Sequence, residues 1–464
     1  MSALPVVAIF DVGKTNKKLF LFDEDYQLVF EKTARFTETV DEDGDPCENI
    51  ENLRLSIFDS LREVFSLKAF SIKAINFSTY GASFVYLDAA GKPLTPLYNY
   101  LKRYPETLQQ QFYDGYGGAS KVAHETASPV LGSLNSGLQL YRLKHLQPAI
   151  FRKLKHALHL PQYMSFLITG HHCTDITSIG CHTQLWDFNK NAYHRWVRKE
   201  RIETKLPPLC PADTVFPAAF PGNGYHVGIG LHDSSAALIP YLVNFQEPFI
   251  LLSTGTWCIS FNPFNHKPLT TEQLEQDCLC YLSYKGDPVK ASRYFAGYEH
   301  EQEVKRIAAH FKQNPIRYRN IRYDQRILSR LKKGRPEHRK RKQQQQQLTD
   351  SGFALRDLRS FDSDIEAYHQ LMLDIVAQQV RSTNLVLQDT PVRRIFVDGG
   401  FSKNTIYMNL MAAAYPGVEV FAASMAQASA LGAALAIHDT WNSKAIPNDI
   451  IELKYYSAGH ELLL

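Results

Sequence analysis

The sequence has few features of a secreted, disulfide-stabilised or membrane-embedded protein. Its seven cysteines are an odd number at scattered positions among 464 residues, which excludes a disulfide framework and favours reduced thiols. No charged and apolar leader precedes the first strand-like segment, and no apolar run reaches the roughly 18 residues that a membrane span needs. We therefore expect a soluble, cytoplasmic protein that makes no membrane contact.

A large net charge is also missing, because the formal charge is only +4 at pH 7. The basic residues are nevertheless concentrated: thirteen lie between Lys312 and Lys342, where only Asp324 and Glu337 oppose them. The surrounding segment, about 312–348, has few apolar residues and ends in a glutamine run, so we expect a solvated excursion that is helical or partly disordered. Too few tyrosines and glycines are interleaved for a typical nucleic-acid surface, and we do not expect nucleic acid as a partner.

The length and the order of strand-like segments predict two domains. A chain of 464 residues, 44% of them hydrophobic, exceeds what one core usually supports. A strand–turn–strand pattern near the start recurs from Phe249 onwards, after the first half closes near Pro240. We therefore predict an α/β protein with two lobes, residues 1–242 and 243–464, and a cleft between them. Helices are predicted at Ile50–Phe65, Leu134–Leu146, Gln162–Leu167 and Thr405–Tyr415.

Three short glycine-bearing turns follow apolar, strand-like runs: Asp11–Asn16, Ser253–Trp257 and Asp398–Asn404. The first two combine glycine with threonine hydroxyls, and their backbone N–H groups can surround anionic oxygens with no side chain in the way. The third joins a strand to a helix, where a close backbone approach suits a flat base or a phosphate, although Gly-Gly turns are common. Two such turns, one from each lobe, can grip a triphosphate from both sides.

Asp233 follows Gly228 and Gly230 and precedes small residues that open a predicted helix. At a helix N-terminus its carboxylate suits an N-cap, which accepts a backbone N–H. At the mouth of a cleft the same carboxylate suits a general base, which takes a proton from a hydroxyl as that hydroxyl attacks phosphorus. The residues alone leave both interpretations open, and the two are compatible because capping also fixes the orientation of the carboxylate.

Two groups of cysteine and histidine have metal-ligand residue types without the spacing of a metal motif. They are His171, His172 and Cys173 with Cys181 and His182, and Cys278 with Cys280. The first group matches no compact zinc arrangement, and the second has no further ligand pair at a matching spacing. We expect zinc at neither group.

Taken in order, these segments resemble the FGGY family of carbohydrate kinases, within the actin-like ATPase superfamily and nearest to its rhamnulokinase-like branch. The resemblance covers nearly the whole chain and is carried by Ser78–Ser83, Asn135–Tyr141, Thr183–Leu185, His232–Asp233, Ser253–Trp257, Gly399–Asn404 and Ala428–Ala433. It implies two ribonuclease H-like lobes with a nucleotide cleft between them. It also implies phosphoryl transfer from ATP, with Mg²⁺, to a terminal hydroxyl of a ketose, a small-molecule sugar as the partner, and it allows a homodimer.

The resemblance also assigns roles to residues by position. Asp233 takes the place of the catalytic base, and Asp11 takes that of the carboxylate that orients Mg²⁺. The residues expected to hold the nucleotide are Gly13, Lys14, Thr15, Asn16, Lys18, Gly255, Thr256, Gly399, Gly400 and Asn404. Those expected to hold the sugar are Thr79, Tyr80, Gly81, Ser83, Tyr100, Gln139, His232 and Asp233.

The chain departs from the family pattern where the sugar is expected. Ser78 and Ser83 stand where the rhamnulokinase-like branch has acidic residues, and Leu101 and Lys102 replace an Arg-Asp pair. Carboxylates bind sugar hydroxyls through charge-assisted hydrogen bonds, so we expect a different sugar to fit. Lys14 replaces a small residue and points either to the phosphates or to solvent. L-rhamnulose, L-fuculose and L-xylulose are candidate substrates, and a sugar-responsive binding or regulatory protein without phosphoryl transfer is the alternative.

Overall fold

The computed structural model describes residues 3–14, 17–34, 38–219, 224–333, 350–425 and 427–457. Two seven-stranded sheets, each covered by helices, form two lobes of mixed α/β structure, as predicted. Thr15 and Asn16 of the first turn lie outside the described residues, and so does the part of the basic segment that runs from residue 334 to residue 348.

The first lobe is built on a sheet of order β13-β14-β6-β1-β2-β3, with β15 also paired to β6. Its strands are β1 (Leu4–Val12), β2 (Lys17–Asp23), β3 (Leu28–Ala34), β4 (Glu38–Val40), β5 (Pro46–Glu48), β6 (Phe70–Thr79), β7 (Phe84–Leu87), β8 (His156–His159), β9 (Thr174–Asp175), β10 (Trp186–Asp187), β11 (Ala192–Tyr193), β12 (Leu209–Cys210), β13 (Val215–Pro217), β14 (His226–Gly228) and β15 (Leu231–His232). Its helices are α1 (Ile50–Ser66), α2 (Glu106–Tyr116), α3 (Ala119–Glu125), α4 (Ser136–Leu146), α5 (Pro148–Lys153), α6 (Leu160–Thr169), α7 (Ile176–Ile179), α8 (Arg195–Lys199) and α9 (Asp233–Asn244).

The second lobe is built on a sheet of order β18-β19-β17-β16-β20-β21-β22. Its strands are β16 (Phe249–Thr254), β17 (Cys258–Asn262), β18 (Cys278–Leu282), β19 (Pro288–Tyr294), β20 (Arg394–Gly399), β21 (Glu419–Ser424) and β22 (Glu452–Tyr456). The helices that follow β17 are α10 (Thr271–Glu275), α11 (Ala296–His310), α12 (Gln325–Lys333), α13 (Asp364–Leu387), α14 (Thr405–Ala414), α15 (Ala428–Ala436) and α16 (His438–Trp441).

Helix α9 lies between the two sheets and joins their cores. Ala236 and Ile239 pack with the β1 residues Val7 and Ile9 of the first sheet. Leu238 and Tyr241 pack against the second sheet, in the cluster that contains Leu251 and Phe396. The strands beside this helix are apolar along nearly their whole length because helices cover both faces of each sheet. A residue at the start of α9 is therefore held by both lobes.

Helix α15 comes late in the chain yet packs on the first lobe. Its apolar side joins the cluster of α9 and β1. A Cβ atom on Gly432 would lie 1.8 Å from the carbonyl oxygen of Ala236, so the two helices approach more closely than a larger residue allows. The domain boundary at residues 242/243 stays a prediction. This boundary separates the two sheets. Helix α15, however, follows the boundary in the chain and packs on the first lobe.

The predicted helices are all present, as α1, α4, α6 and α14, with ends displaced by at most two residues. All seven cysteines are free. Among the described residues, no helix combines the length and the hydrophobicity that crossing a bilayer requires. The described part of the basic segment folds onto the second lobe as a 3-10 helix, Pro315–Asn320, followed by α12, with Tyr318 and Leu328 buried.

Candidate active site

Three neighbouring parallel strands of the first sheet end at one edge and bring the predicted residues together. In the register of β1 and β6, Asp11 lies opposite Ser78 and Val12 opposite Thr79. In the register of β15 and β6, His232 also lies opposite Thr79. Carboxyl ends of parallel strands are the usual place of ligand sites in open α/β sheets. Asp233 follows His232 directly, so residues far apart in sequence meet here.

Asp233 is the first residue of α9, whereas the N-cap is His232, so the interpretation of Asp233 as the N-cap is wrong by one residue. The carboxylate Oδ1 of Asp233 accepts the N–H of Ser234 at 2.5 Å and its hydroxyl at 3.2 Å. Burial raises the pKa of Asp233 to about 6, because a desolvated carboxylate is less stable than its acid. The group is thus oriented by its neighbour and has a proton affinity suited to general-base chemistry near neutral pH.

Asp11 is the second-last residue of β1, and a residue near the other end of the chain holds its side chain. Its Oδ1 accepts a hydrogen bond from the Ser429 hydroxyl, at the start of α15, at 3.1 Å. Burial and the negative charge of Asp233 raise the pKa of Asp11 to about 6. A buried carboxylate that faces a second carboxylate is stabilised by a cation, and Mg²⁺ prefers such oxygen ligands. The two carboxylates therefore fit the metal role that the resemblance implies for Asp11, which stays a prediction.

Lys14 of the first turn and Lys18 of β2 both pair with carboxylates, which the sequence did not indicate. The Nζ atom of Lys14 lies 3.4 Å from Glu38 and 3.6 Å from Glu48, and 24% of the side chain is exposed. Lys18 stands opposite Asp11 on β2 and pairs with Glu31 at 2.8 Å. Gly13 follows β1 directly. The expected roles of all three toward a nucleotide stay predictions.

Glu48 is the centre of a cluster of polar and aromatic side chains that the sequence did not predict. Glu48 ends β5 and is buried, with only 7% of its side chain exposed. It accepts a hydrogen bond from the Tyr80 hydroxyl at 2.9 Å and pairs with Lys17 at 3.0 Å. Tyr80 in turn contacts Tyr100, with ring centroids 5.9 Å apart. The chain therefore has a buried carboxylate near the expected sugar wall, on a different strand from Ser78.

The remaining expected sugar residues surround the Tyr80 turn. Ser83 is buried at the start of the segment that leads into β7. Gln139, on the buried side of α4, donates from its amide to the carbonyl oxygens of Ala82 at 2.7 Å and Ser133 at 2.6 Å. The charge of Asp233 contributes to the raised pKa of Tyr100, after burial. Tyr100 therefore lies within electrostatic reach of the candidate base.

His232 makes contacts that only the fold brings together. Its Nε2 lies 3.0 Å from the Cys181 sulfur and 3.3 Å from the Asp233 carboxylate. Its ring stacks on Tyr281 of β18 in the second lobe, with centroids 5.6 Å apart. A Cβ on Gly81 would lie 2.8 Å from the His232 ring, so only glycine fits there without a shift. Burial lowers the pKa of His232 to about 3, and the ring is therefore neutral.

The second and third turns are locked together by backbone contacts. Thr254, the last residue of β16, lies opposite Gly399 of β20. Its Oγ1 donates to the carbonyl of Asp398 at 2.5 Å and accepts the N–H of Phe401 at 2.9 Å, while its own carbonyl accepts the N–H of Gly400 at 2.8 Å. Gly399 has φ +90, and a Cβ there would lie 2.0 Å from the Thr254 oxygen. Only glycine is compatible with this arrangement.

Next to these turns lies a cavity of about 430 Å³ in the second lobe. It is lined by Thr254, Gly255, Gly297, His300, Arg319, Tyr368, Gly400, Phe401, Lys403 and Asn404. Such a volume, with a mainly apolar wall and a few polar groups, is typical of a small-molecule site. Arg319 comes from the basic segment, so part of that segment borders the cavity.

Asn404 lines this cavity, and both polar atoms of its side chain make hydrogen bonds within the protein. Its Oδ1 accepts the N–H groups of Ile406 and Tyr407, which makes it the N-cap of α14. Its amide donates to the Tyr368 hydroxyl at 2.8 Å, which also contacts His300 Nε2 at 3.1 Å. Thr256 adjoins Gly255, and its carbonyl accepts the N–H of Tyr298 at 3.2 Å. Their roles toward a nucleotide stay predictions.

The metal-ligand residues that were discounted from spacing separate in the fold. His171 stacks on Phe216 and His172 packs against Phe166, away from the site. Cys278 and Cys280 are buried in the core of the second lobe. Cys181 and His182 instead lie next to His232, some 50 positions later in the chain, which no local spacing could indicate.

The chain is similar to known proteins along most of its length. A model of the N-terminal domain of the FGGY family of carbohydrate kinases matches residues 6–238, and a model of the C-terminal domain of carbohydrate kinase FGGY matches residues 246–445. Rhamnulokinases of Halalkalibacterium halodurans and Yersinia pestis are similar, at 24% and 25% identity over 54% and 56% of this chain. The aligned part covers the same shares of those proteins, so the chain spans about half the length of the curated relatives it matches.

Similar solved structures cover nearly the whole chain. A carbohydrate kinase from Novosphingobium aromaticivorans has a TM-score of 0.78 and 20% identity, over 98% of this chain and 95% of that one. A ligand-bound xylulose kinase from Lactobacillus acidophilus has a TM-score of 0.79 and 16% identity, over 98% of this chain and 94% of that one. This likeness confirms the predicted two-lobe, actin-like fold.

Proposed function

Because the chain belongs to the FGGY family of carbohydrate kinases, we propose that it transfers the γ-phosphoryl group of ATP to a terminal hydroxyl of a ketose. The observation that carries the proposal is Asp233, whose buried carboxylate has a pKa raised to about 6. It stands at the first residue of α9, the helix that both sheets hold. A base at this place reaches an acceptor that enters between the lobes.

Asp233 takes the proton from the sugar hydroxyl as that oxygen attacks phosphorus. The contacts with Ser234 keep the Asp233 carboxylate in one orientation, so that the base is already oriented when the sugar binds. Phosphoryl transfer demands positioning and charge neutralisation more than covalent catalysis. Asp11 is the residue that would hold Mg²⁺, a metal that supplies positive charge for the phosphate oxygens. Its bond from Ser429 fixes the direction of that carboxylate.

The cavity beside the second and third turns is the proposed nucleotide site. Gly255 and Gly400 bring backbone to its wall with no side chain in between, as phosphate or base binding requires. Arg319 and Lys403 add two positive charges to the lining. Gly13 and the residues that follow it would contact the phosphates from the first lobe. An adenine ring fits the apolar part of a cavity of this size.

The sugar site is proposed at Thr79–Ser83, with Tyr100, Gln139 and His232 around it. The Glu48–Tyr80 pair provides a charged, buried anchor that holds one wall in place. The curated relatives are rhamnulokinases, and one structural neighbour is a xylulose kinase. A deoxyhexulose or a pentulose, such as L-rhamnulose, L-fuculose or L-xylulose, is therefore the proposed substrate class.

A coupled assay of ADP formation over a panel of ketoses and a few aldoses tests the proposal. We expect at least one ketose to support turnover that depends on Mg²⁺ and is lost in Asp233→Asn. Absence of turnover with every sugar would overturn the kinase proposal, and tight ketose binding in the same preparation would point to a sugar-responsive binding protein. Unchanged activity of Asp233→Asn would overturn the role of the base.

A further inference from the structure

We propose that Cys181, His182 and His232 form a binding site for a soft divalent cation such as Zn²⁺, and that occupancy of the site blocks Asp233. The three residues come from two segments that meet at the edge of the first sheet. One ligand atom from each lies within 4.8 Å of the others, and all three side chains are buried. A thiolate and two imidazoles are the donor set that zinc prefers in proteins.

The hydrogen bonds around the two histidines leave ring nitrogens free to bind a metal. His182 Nδ1 lies 3.1 Å from the Leu134 carbonyl oxygen, which can only accept, so this nitrogen carries the proton and Nε2 carries the lone pair. His232 Nδ1 faces the Ser235 hydroxyl at 3.4 Å, and that hydroxyl donates to the Leu282 carbonyl at 3.2 Å. Metal-binding histidines commonly donate their other N–H to such a partner, which fixes the ring.

The geometry of the cluster suits one tetrahedral ion. Zinc binds sulfur and imidazole nitrogen at about 2.0–2.3 Å, which places the ligand atoms about 3.5 Å apart. The Cys181 sulfur and His232 Nε2 are already 3.0 Å apart. On binding, the Cys181 thiol releases its proton to solvent and the thiolate coordinates the cation. No oxidant or reductant is needed.

The surrounding charges accept a dication. Arg293 is the cation whose charge reaches Cys181 and His182, and it is paired with Asp277 at 2.6 Å. On the other side, the Asp233 carboxylate lies 3.3 Å from His232 Nε2, where it is available as a fourth ligand. An ion held there occupies the space beside the base that an acceptor hydroxyl must enter. Mg²⁺ does not compete, because it prefers oxygen ligands.

The site itself is independent of the proposed kinase activity, whereas the inhibition rests on it. Binding is therefore measured first, by titrating the purified full chain with Co²⁺, whose bond to a thiolate gives a charge-transfer absorption band. We expect one equivalent to bind with this band. In Cys181→Ser the band should vanish, and the affinity for Zn²⁺, measured by competition with a chromophoric chelator, should fall at least about tenfold. His182→Asn should weaken binding similarly.

Cys173→Ser is the matched control, since Cys173 is equally buried but belongs to a different part of the fold. It should bind Co²⁺ and Zn²⁺ as the unaltered protein does, and thermal unfolding should show that all variants are folded. A wild-type protein without the charge-transfer band, or a Cys181→Ser variant with unchanged zinc affinity, would overturn the site.

Inhibition is then measured in excess Mg²⁺ with the sugar that gives turnover. Zinc should abolish activity of the unaltered protein, and Cys181→Ser should need at least about ten times more zinc for the same loss. Equal zinc sensitivity of the two proteins would overturn the blocking of Asp233. If no sugar gives turnover, the proposed function fails while the cobalt titration still decides the metal site.

Discussion

The two sides of the cleft are built by different means. In the second lobe, the walls are made of backbone: Thr254, Gly399 and Gly400 are joined by main-chain contacts, and Gly297 lies against Gly255. In the first lobe, the walls are made of buried side chains that titrate or pair, with Asp11, Glu48 and Asp233 among them. A wall made of backbone does not depend on which side chains surround it, but it leaves no room for a Cβ atom at its glycines. A side-chain wall depends on partners that come from distant segments.

The difference suggests that the donor and acceptor sides diverge in different ways. Main-chain N–H groups bind any phosphate, so a nucleotide bound at the second-lobe turns, as proposed, would be held in the same way whichever sugar is the acceptor. Side-chain carboxylates and tyrosines bind particular hydroxyl patterns, so their replacement changes the acceptor. Substitutions on each side should therefore affect one substrate and leave the other nearly unchanged.

The largest expected effect comes from Asp233→Asn, which keeps the shape and removes the base. We expect kcat to fall by roughly 10²–10⁴, because that is the usual contribution of a general base. The loss corresponds to about 3–5 kcal/mol of barrier. Adenosine nucleotide affinity, measured by titration calorimetry, should stay within about twofold because the proposed nucleotide cavity lies in the other lobe. Asp389→Asn, an exposed carboxylate paired with Lys267, is the control. If Asp233→Asn lost nucleotide affinity together with kcat, the two sides of the cleft would not act separately.

The next largest effect is expected on the other side of the cleft, from Gly297→Ala. The added Cβ would lie 1.9 Å from the Gly255 carbonyl oxygen, so the second turn must move. A forced backbone shift of this kind costs about 1–3 kcal/mol, and we expect nucleotide affinity to fall about tenfold to a hundredfold. Sugar affinity should change little. Gly417→Ala, where nothing lies within 4 Å, is the matched control and should bind nucleotide normally.

The pH profile should separate the two sides again. The base acts as a carboxylate, and the pKa of Asp233 is raised to about 6, so protonation below that value removes activity. We expect kcat/KM to be level at neutral pH and to fall below about pH 6, by about tenfold per unit for each carboxylate that must be ionised. Asp11 has a similar raised pKa, partly through Asp233, so the profile reports the pair. Binding of uncharged adenosine should stay level over the same range, and a level kcat/KM profile down to about pH 5 would contradict the assignment.

The smallest effect is expected from Lys14→Ala. Because Lys14 pairs with Glu38 and Glu48, we expect the KM for ATP to change by less than about threefold. Lys32→Ala, which removes another partly exposed ion pair of the first lobe, is the control. An increase of about tenfold or more in the KM for ATP would show that Lys14 leaves its carboxylates and contacts the phosphates. Initial rates at varied ATP and saturating sugar are the measurement.

Features that depend on local geometry could be predicted from the sequence. The glycine-bearing turns, the strands that precede them and the start of α9 at Asp233 need only neighbouring residues to be recognised. Asn404 lines the cavity of the second lobe, and its predicted role toward a nucleotide stays a prediction. Its N-cap role was missed, although Asn before a helix is a common cap signal. The restart of the pattern at Phe249 likewise predicted the second sheet.

Features that depend on contacts between distant segments could not be predicted from the sequence. The sequence left two predictions open for Lys14, a contact with the phosphates or exposure to solvent. Its pairing with Glu38 and Glu48 was missed because only the fold of β4 and β5 brings these residues close to it. The meeting of Cys181 and His182 with His232 requires β15 to pair with β6, which no spacing indicates. The packing of α15 on the first lobe was missed for the same reason.

The late position of α15 has a consequence for synthesis of the protein on the ribosome. Strand β1 and helix α9 are made early, but the layer that covers them is completed only when Gly432 packs against Ala236 and Ser429 contacts Asp11. Domains usually fold in the order in which they emerge. Here the first lobe emerges first and is finished last, so its apolar helix face stays uncovered until nearly the whole described chain has been translated.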